Sequence, residues 1–340
     1  MAATAKTSKT STPKRDVYAE VTNSIVSMLE KGTAPWRQSW NGTKGVGHLL
    51  PIRFNGVPYN GMNVILLWAA AQEKGYAERR WMTFNQAKKL GGTVRKGEKG
   101  TLIIKAGKVV KDVEDLAAKA KGETKNKTIS IPYIKGYVVF NVCQIDWSEA
   151  KEKVVESMFE ATKIEDATVN PDGRIAEAES FFTKVGADVR HGGSQAFYVP
   201  SKDYIQLPEF TDFHDAEAYY ATSAHEHIHW TRHETRLNRT FDQKRFGDQG
   251  YAMEELVAEL GAAFVCAQLG ISAEPREDHA SYLAHWIEVL KANNKAIFNA
   301  ASHAQKATDF LLHAAGIEVL KGETDDEEVS KSATASMMAA

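Results

Sequence analysis

The sequence predicts an α+β chain of two domains, a mixed α/β unit over residues 16–148 followed by a mainly helical unit with a small sheet over residues 174–320. Three observations carry this. Short helical and strand-like runs alternate in the first half, long helical runs dominate the second, and a charged connection over 149–173 ends in the turn Asn170-Pro171-Asp172-Gly173. At 340 residues the chain is long enough to bury two separate cores.

The elements follow in order. Residues 1–15, rich in Ala, Thr, Ser and Lys, read as a disordered leader. An amphipathic helix starts after Pro13, because Val17, Val21, Ile25, Met28 and Leu29 recur at helical spacing until Gly32 stops it. Pro35, Trp36 and Trp40 open an extended region, and Asn60 to Lys74 forms a second helix with Met62, Ile65, Leu66 and Trp68 on its apolar side. Thr83 is placed to cap a short helix that ends at Gly91-Gly92. Strands are expected at Gly100–Ile104 and Tyr133–Val142, with the Lys- and Ala-rich segment Lys105–Thr128 between them as a mobile hairpin tip or loop. In the second domain a helix over Ile175–Val185 precedes a hairpin, Phe197–Val199 with Tyr204–Leu207, turning at Pro200–Lys202. Helices at Asp212–Glu234, Tyr251–Leu269, Glu277–Lys291 and Lys295–Ala315 complete it, before an acidic and then small-residue tail over 321–340 that reads as disordered.

Charge divides the chain more sharply than hydrophobicity does. Up to Ser148 there are 24 Lys and Arg against 11 Asp and Glu, and beyond it 18 against 33, so the halves carry about +13 and −15. A basic half beside an acidic one suggests that the first meets a polyanion. Cys143 and Cys266 form neither a disulfide framework nor a Cys-based metal spacing, and no apolar run suffices to span a membrane, so a reducing, cytoplasmic setting is expected.

The second half carries His225-Glu226-His227-Ile228-His229 within a helical stretch. Two imidazoles four residues apart share a helical face and can hold zinc, while Glu226 beside them can act as general base for an attacking water. A third ligand is required, and Glu255 on the next helix supplies it, with Glu259 one turn on to accept the free N–H of a ligand histidine. Glu254 is expected to point about 100° away. One zinc per chain would then serve hydrolysis, with Tyr251 and Tyr282 as possible oxyanion donors and His227 and His233 as surface or peripheral groups. The extended Tyr204–Leu207 segment, just upstream of the histidine helix, reads as an edge strand for a peptide substrate.

Several longer motifs join this one: Gly61-Met62-Asn63-Val64, Trp81-Met82-Thr83-Phe84-Asn85-Gln86-Ala87, Gly97-Glu98-Lys99-Gly100, and Tyr251-Ala252 followed by Glu254-Glu255-Leu256-Val257-Ala258-Glu259. Together they resemble the ArdC family of plasmid antirestriction proteins and the related N-terminal regions of TraC primases, over about Val17 to Gly316. The resemblance implies an N-terminal domain that binds single-stranded DNA and a zincin-like metallopeptidase domain, carried on mobile DNA in conjugation and protecting it from host restriction. It also implies zinc on His225, His229 and a Glu of the second helix.

The first domain agrees with a single-strand partner. Trp36, Arg37 and Trp40 form one cluster of rings and cations, and Arg79, Arg80, Trp81, Phe84, Lys88 and Lys89, followed by Arg95, Lys96 and Lys99, form another. Residues 1–148 are therefore expected to bind single strands by themselves. Two rival readings are a DNA-binding shield with a structural zinc and a metal-dependent nuclease. Glu226 disfavours the first, since a structural site needs no base, and the two-His, one-Glu set disfavours the second.

Overall fold

The structure is a computed structural model that describes residues 16–37, 49–114, 126–160, 168–241, 249–271 and 280–319. Helix α1 (Val17–Glu30) starts where the Asp16 carboxylate accepts the Ala19 N–H at 3.1 Å, and it buries Val21, Ile25 and Leu29. Strand β1 (Ile52–Arg53), helix α2 (Met62–Lys74) and strand β2 (Arg80–Met82) lead to helix α3 (Phe84–Lys89). Thr83 caps α3 as its sequence suggests: its hydroxyl accepts the Gln86 N–H at 3.3 Å, and Gln86 Oε1 accepts the Thr83 N–H at 2.8 Å.

After β3 (Thr93–Val94), strands β4 (Thr101–Glu114) and β5 (Asn126–Asn141) pair antiparallel without interruption from Thr101↔Val139 to Glu114↔Asn126. The expected loop at Lys105–Thr128 is thus mostly strand, apart from residues 115–125, which lie outside the described residues. Its sequence lacks the period-two signal because the ribbon leaves Val109, Val110 and Ile131 exposed, so ladder hydrogen bonds rather than a buried face hold it. Strand β6 (Ile145–Asp146) pairs with β3, and a helix α4 (Glu152–Glu160) occupies what the sequence presents as plain connection.

The second half runs α5 (Ala176–Val185), β7 (Asp188–His191), β8 (Phe197–Val199), β9 (Tyr204–Leu207), α6 (Ala216–Trp230), α7 (Gln249–Leu269), α8 (Ala280–Ala292) and α9 (Ala296–Ala314). One sheet has the order β1-β2-β5-β4 and another β7-β9-β8. Tyr204–Leu207 is therefore the central strand, not an edge. The parallel strand β7, which has no alternating pattern to announce it, takes β9's second side and leaves Phe197–Val199 at the edge.

There are two buried clusters, but they do not fall one to each half as two cores for two domains would. One continuous cluster joins Ile25 of α1 and Leu67 of α2 to Leu256 and Phe264 of α7, Trp286 of α8 and Ala304 of α9. The Trp68 and Phe264 rings meet at 6.0 Å, the Thr22 hydroxyl donates to the Asn294 carbonyl at 2.8 Å, and the Gly61 N–H donates to Gln305 Oε1 at 2.7 Å. A smaller cluster of Met82, Ala87, Val142, Ile145 and Met158 lies beneath α3 and α4. The apolar faces of α1 and α2 pack on the helices of the other half as well as on β4 and β5 of their own. The described residues contain no helix long and apolar enough to cross a membrane.

Candidate metal centre

Helices α6 and α7 build the site. Asp215 caps α6 by accepting the Ala218 N–H at 2.7 Å, and the helix then carries His225, Glu226 and His229 into a buried setting. Helix α7 approaches closely because residue 261 is glycine: a Cβ there would lie 2.7 Å from the Ile228 side chain. This contact brings the carboxylates of α7 level with the histidines.

His225 Nε2 and His229 Nε2 are 3.1 Å apart, and the Glu255 oxygens lie 3.5 Å from each. Two ligand atoms ~2.0–2.1 Å from a tetrahedral zinc are separated by about 3.3–3.4 Å, so the three donors have the spacing of three corners of a zinc site. Among the described residues, this trio forms a candidate metal-binding group with ligand atoms within 4.8 Å of one another.

The opposite ring nitrogens meet carboxylates. His229 Nδ1 lies 3.1 Å from Glu254 Oε1, and His225 Nδ1 lies 3.5 Å from Glu259 Oε1. A carboxylate only accepts, so the 3.1 Å contact with Glu254 places a hydrogen on His229 Nδ1 and turns its Nε2 toward His225 Nε2 at the shared centre. Two ring nitrogens facing each other at that distance need a proton or a cation between them, a place that a bound divalent metal would fill.

A third layer anchors those carboxylates. Arg239 donates to Glu254 through Nε at 2.8 Å and a terminal nitrogen at 2.7 Å, with both side chains buried. Arg37, from the first half, donates to Glu259 at 3.1 Å and lies 5.0 Å from the centre of the Trp286 ring. Burial opposes charge on Glu254, yet Arg239 and then His229 hold its carboxyl down to about 2. Burial likewise opposes charge on Glu255, and the two imidazoles hold it well below the usual carboxylate range. Burial also opposes protonation of His229, but Glu255 and Glu254 outweigh it and push the ring up to about 10, a proton that metal binding must displace.

The site opens into a cleft of about 240 Å³ lined by Phe197 and Tyr198 of the edge strand, Glu226, Arg232, Tyr251 and Tyr282 beside the three donors. Tyr251 and Tyr282 hydroxyls are 3.2 Å apart. Burial and that hydrogen bond raise the Tyr251 phenol above its ordinary range, keeping it a donor. Arg236 holds the turn between β8 and β9 by donating to Asp203 at 3.0 Å, and reaches the edge strand by donating to the Tyr198 hydroxyl at 3.2 Å, while lying 3.9 Å from the Trp230 ring centre.

Other expected residues fall elsewhere. His227 is not a surface group: it is fully buried, its Nδ1 donates to the Ser223 carbonyl at 2.7 Å, it packs on Phe182 at 4.6 Å, and burial lowers it to about 4. His233 lies past the end of α6, where Thr235 occupies its Nδ1 at 2.9 Å. Trp36 and Trp81 are 2% and 1% exposed, so neither offers a ring face to a base. Arg80 is also buried, with its guanidinium donating to the Phe54 and Met158 carbonyls at 2.6 and 3.0 Å, and Arg79 is half-buried beside Leu50. Phe84 is 51% exposed, and Lys88, Lys89, Arg95, Lys96 and Lys99 are at the surface. Trp40 lies outside the described residues.

Glu254 and Arg239 are the pair supporting the candidate site that sequence reasoning misses. Glu254 does point away from Glu255, but His229 lies between them, so adjacent residues of α7 take opposite sides of one imidazole. Nothing local marks Arg239 as its partner.

Comparisons with known proteins place both halves. Residues 15–140 match the N-terminal domain of anti-restriction factor ArdC, and residues 176–303 match a zincin-like metallopeptidase family. The crystal structure of the antirestriction ArdC protein from plasmid R388, metal-free, superposes with a TM-score of 0.69 at 40% identity, covering 89% of this chain and all of that one. Its Mn(II)-bound form gives 0.68 at 39% identity, covering 88% and 98%. An uncharacterised protein, y4eC, of Sinorhizobium fredii is 39% identical over 306 residues, covering 90% of this chain and 94% of its own. DNA primase TraC of Escherichia coli is 35% identical over 309 residues, 88% of this chain but only 20% of the primase.

Proposed function

Since the chain belongs to the ArdC antirestriction family and carries a zincin-like metallopeptidase domain, we propose that it is a single-stranded-DNA-binding zinc peptidase that accompanies mobile DNA and protects it from host restriction. The observation that carries this reading is the convergence of His225, His229 and Glu255 in an open cleft with Glu226 beside them.

His225, His229 and Glu255 would hold the ion. When bound, zinc supplies Lewis acidity that polarises a carbonyl and acidifies water. The chain's own groups do the rest. Glu226, not one of the three donors, accepts the proton of the attacking water at its carboxylate. The neutral phenols of Tyr251 and Tyr282 line the same cleft and are placed to donate to a developing oxyanion. Among the described residues, strand β8 offers an open backbone edge on which an extended peptide can add a strand, which favours a peptide over an ester or sugar. A donor set of two imidazoles and one carboxylate differs from the carboxylate-rich sites of magnesium nucleases.

Support for DNA comes from the ArdC-type first domain, the likeness to TraC, and the exposed Phe84, Lys88, Lys89, Arg95, Lys96 and Lys99 along α3 and the turn that follows. The deciding experiment measures metal content, hydrolysis of an unstructured protein substrate, and strand binding on one preparation. Metal without hydrolysis in the wild type would leave the site a structural one.

A further inference from the structure

A second cleft lies away from the candidate metal donors. About 910 Å³ in volume, it lies between the β4–β5 ribbon, the starts of α2 and α3, and the face of α9 that belongs to the other half of the chain. Its lining contains five cations, Arg53, Lys105, Lys135, Lys295 and Lys306, and no carboxylate. Lys295 and Lys306 come from the half with the large acidic excess, so the composition of that half does not account for them.

Three of the cations sit beside rings on the cleft wall. Arg53 lies 5.5 Å from the Tyr59 ring centre, Lys135 5.7 Å from Tyr137, and Lys295 5.3 Å from Tyr18. Tyr18 in turn meets Phe298 of α9 edge to face at 4.7 Å, across the boundary between the halves. Tyr59 itself is buried, but the partly open rings of Tyr18, Tyr137 and Phe298 beside these cations give cations for phosphates and flat rings for bases, the pattern by which single strands are held and which paired bases in a duplex cannot use. Side-chain amides at Asn85 and Asn299 add hydrogen-bonding groups that tolerate any base edge.

We infer that the single strand lies in this composite cleft, so that Lys295, Phe298 and Lys306 of α9 and its N-cap complete a DNA site that the first half only begins. This rests on the single-strand reading above and moves its centre from the outer face of α3 to the seam between the halves. Residues 1–148 are then half a site, contrary to the expectation from charge alone.

The test uses the full chain and a fluorescein-labelled oligothymidylate, read by anisotropy over a range of salt. Lys295→Gln with Lys306→Gln removes two exposed cations from the α9 wall, and thermal unfolding checks that the fold is intact. The wild-type plot of log affinity against log salt should become shallower by up to about 1.4 in the double variant, at about 0.7 for each phosphate no longer neutralised. A wild type that binds while the double variant keeps its affinity and slope overturns the composite cleft and leaves single-strand binding standing. In that case weaker binding by Lys88→Ala with Lys89→Ala would put the strand on α3. A wild type that does not bind overturns the single-strand reading itself.

Discussion

His229 and Glu254 meet at 3.1 Å through the imidazole nitrogen that faces away from the metal centre, and the same carboxylate is gripped by the buried Arg239. One side chain thus orients a candidate metal donor and neutralises an interior cation. Glu254→Ala would leave Arg239 without its counter-charge, and breaking a buried pair in this way costs about 3–5 kcal/mol. Metal affinity should fall about 10–100-fold as well, the usual effect of removing a group that orients a ligand. Urea unfolding and competitive chelator titration measure the two. A destabilisation under ~1 kcal/mol would show that water replaces the carboxylate at Arg239.

Purified protein should hold one zinc per chain, and His225→Ala, His229→Ala and Glu255→Ala should each lose it. On the proposed roles, Glu226→Gln should keep the metal and lose hydrolysis, because Glu226 is not among the three candidate donors. Elemental analysis after dialysis against a weak chelator, with manganese as competitor, separates the roles. Zinc retained in both histidine variants would remove the centre from this helix.

Gly261→Ala gives a test whose sign is informative. In an ordinary helix interior the change would stabilise by about 1 kcal/mol. Here the added methyl would lie 2.7 Å from Ile228, which is fully buried, so overpacking should destabilise by about 1–3 kcal/mol. Metal affinity should fall with it, since the glycine sets how near α7 comes to α6. A rise in the melting temperature would mean that the two helices do not meet this closely.

Trp81→Ala and Phe84→Ala should part company. Trp81 is core, so truncating it should cost about 3–5 kcal/mol of stability without a selective effect on strand binding. Phe84 is half exposed and lies outside the lining of the seam cleft, so truncating it should spare stability and leave strand binding near wild type. Equal stability in the two variants would contradict the burial that distinguishes them.

Much of this was legible in the sequence, for identifiable reasons. The histidine pair, Glu255 and the Thr83 cap are set by spacing along single helices, and fixed helical geometry converts spacing into position. Trp81 misled because a tryptophan beside two arginines reads alike whether the ring is buried or bare. Arg37 misled in the same way, since its partner Glu259 is 222 residues distant. Strand β7 was missed because its neighbours in the sheet, not its own pattern, define it.

The unbroken core from Ile25 to Ala304 makes the two halves one thermodynamic body. Calorimetry should record a single heat-absorption peak, because neither half retains an intact interior once the other melts. Free energy from metal binding at α6 and α7 is then shared by the whole body, and at a thousandfold excess over the dissociation constant that is about 4 kcal/mol. Chelation should raise amide hydrogen exchange in α1 and α2, elements that contribute none of the three candidate metal donors. The half proposed to take up DNA and the half proposed to take up metal are, in energetic terms, one folding unit.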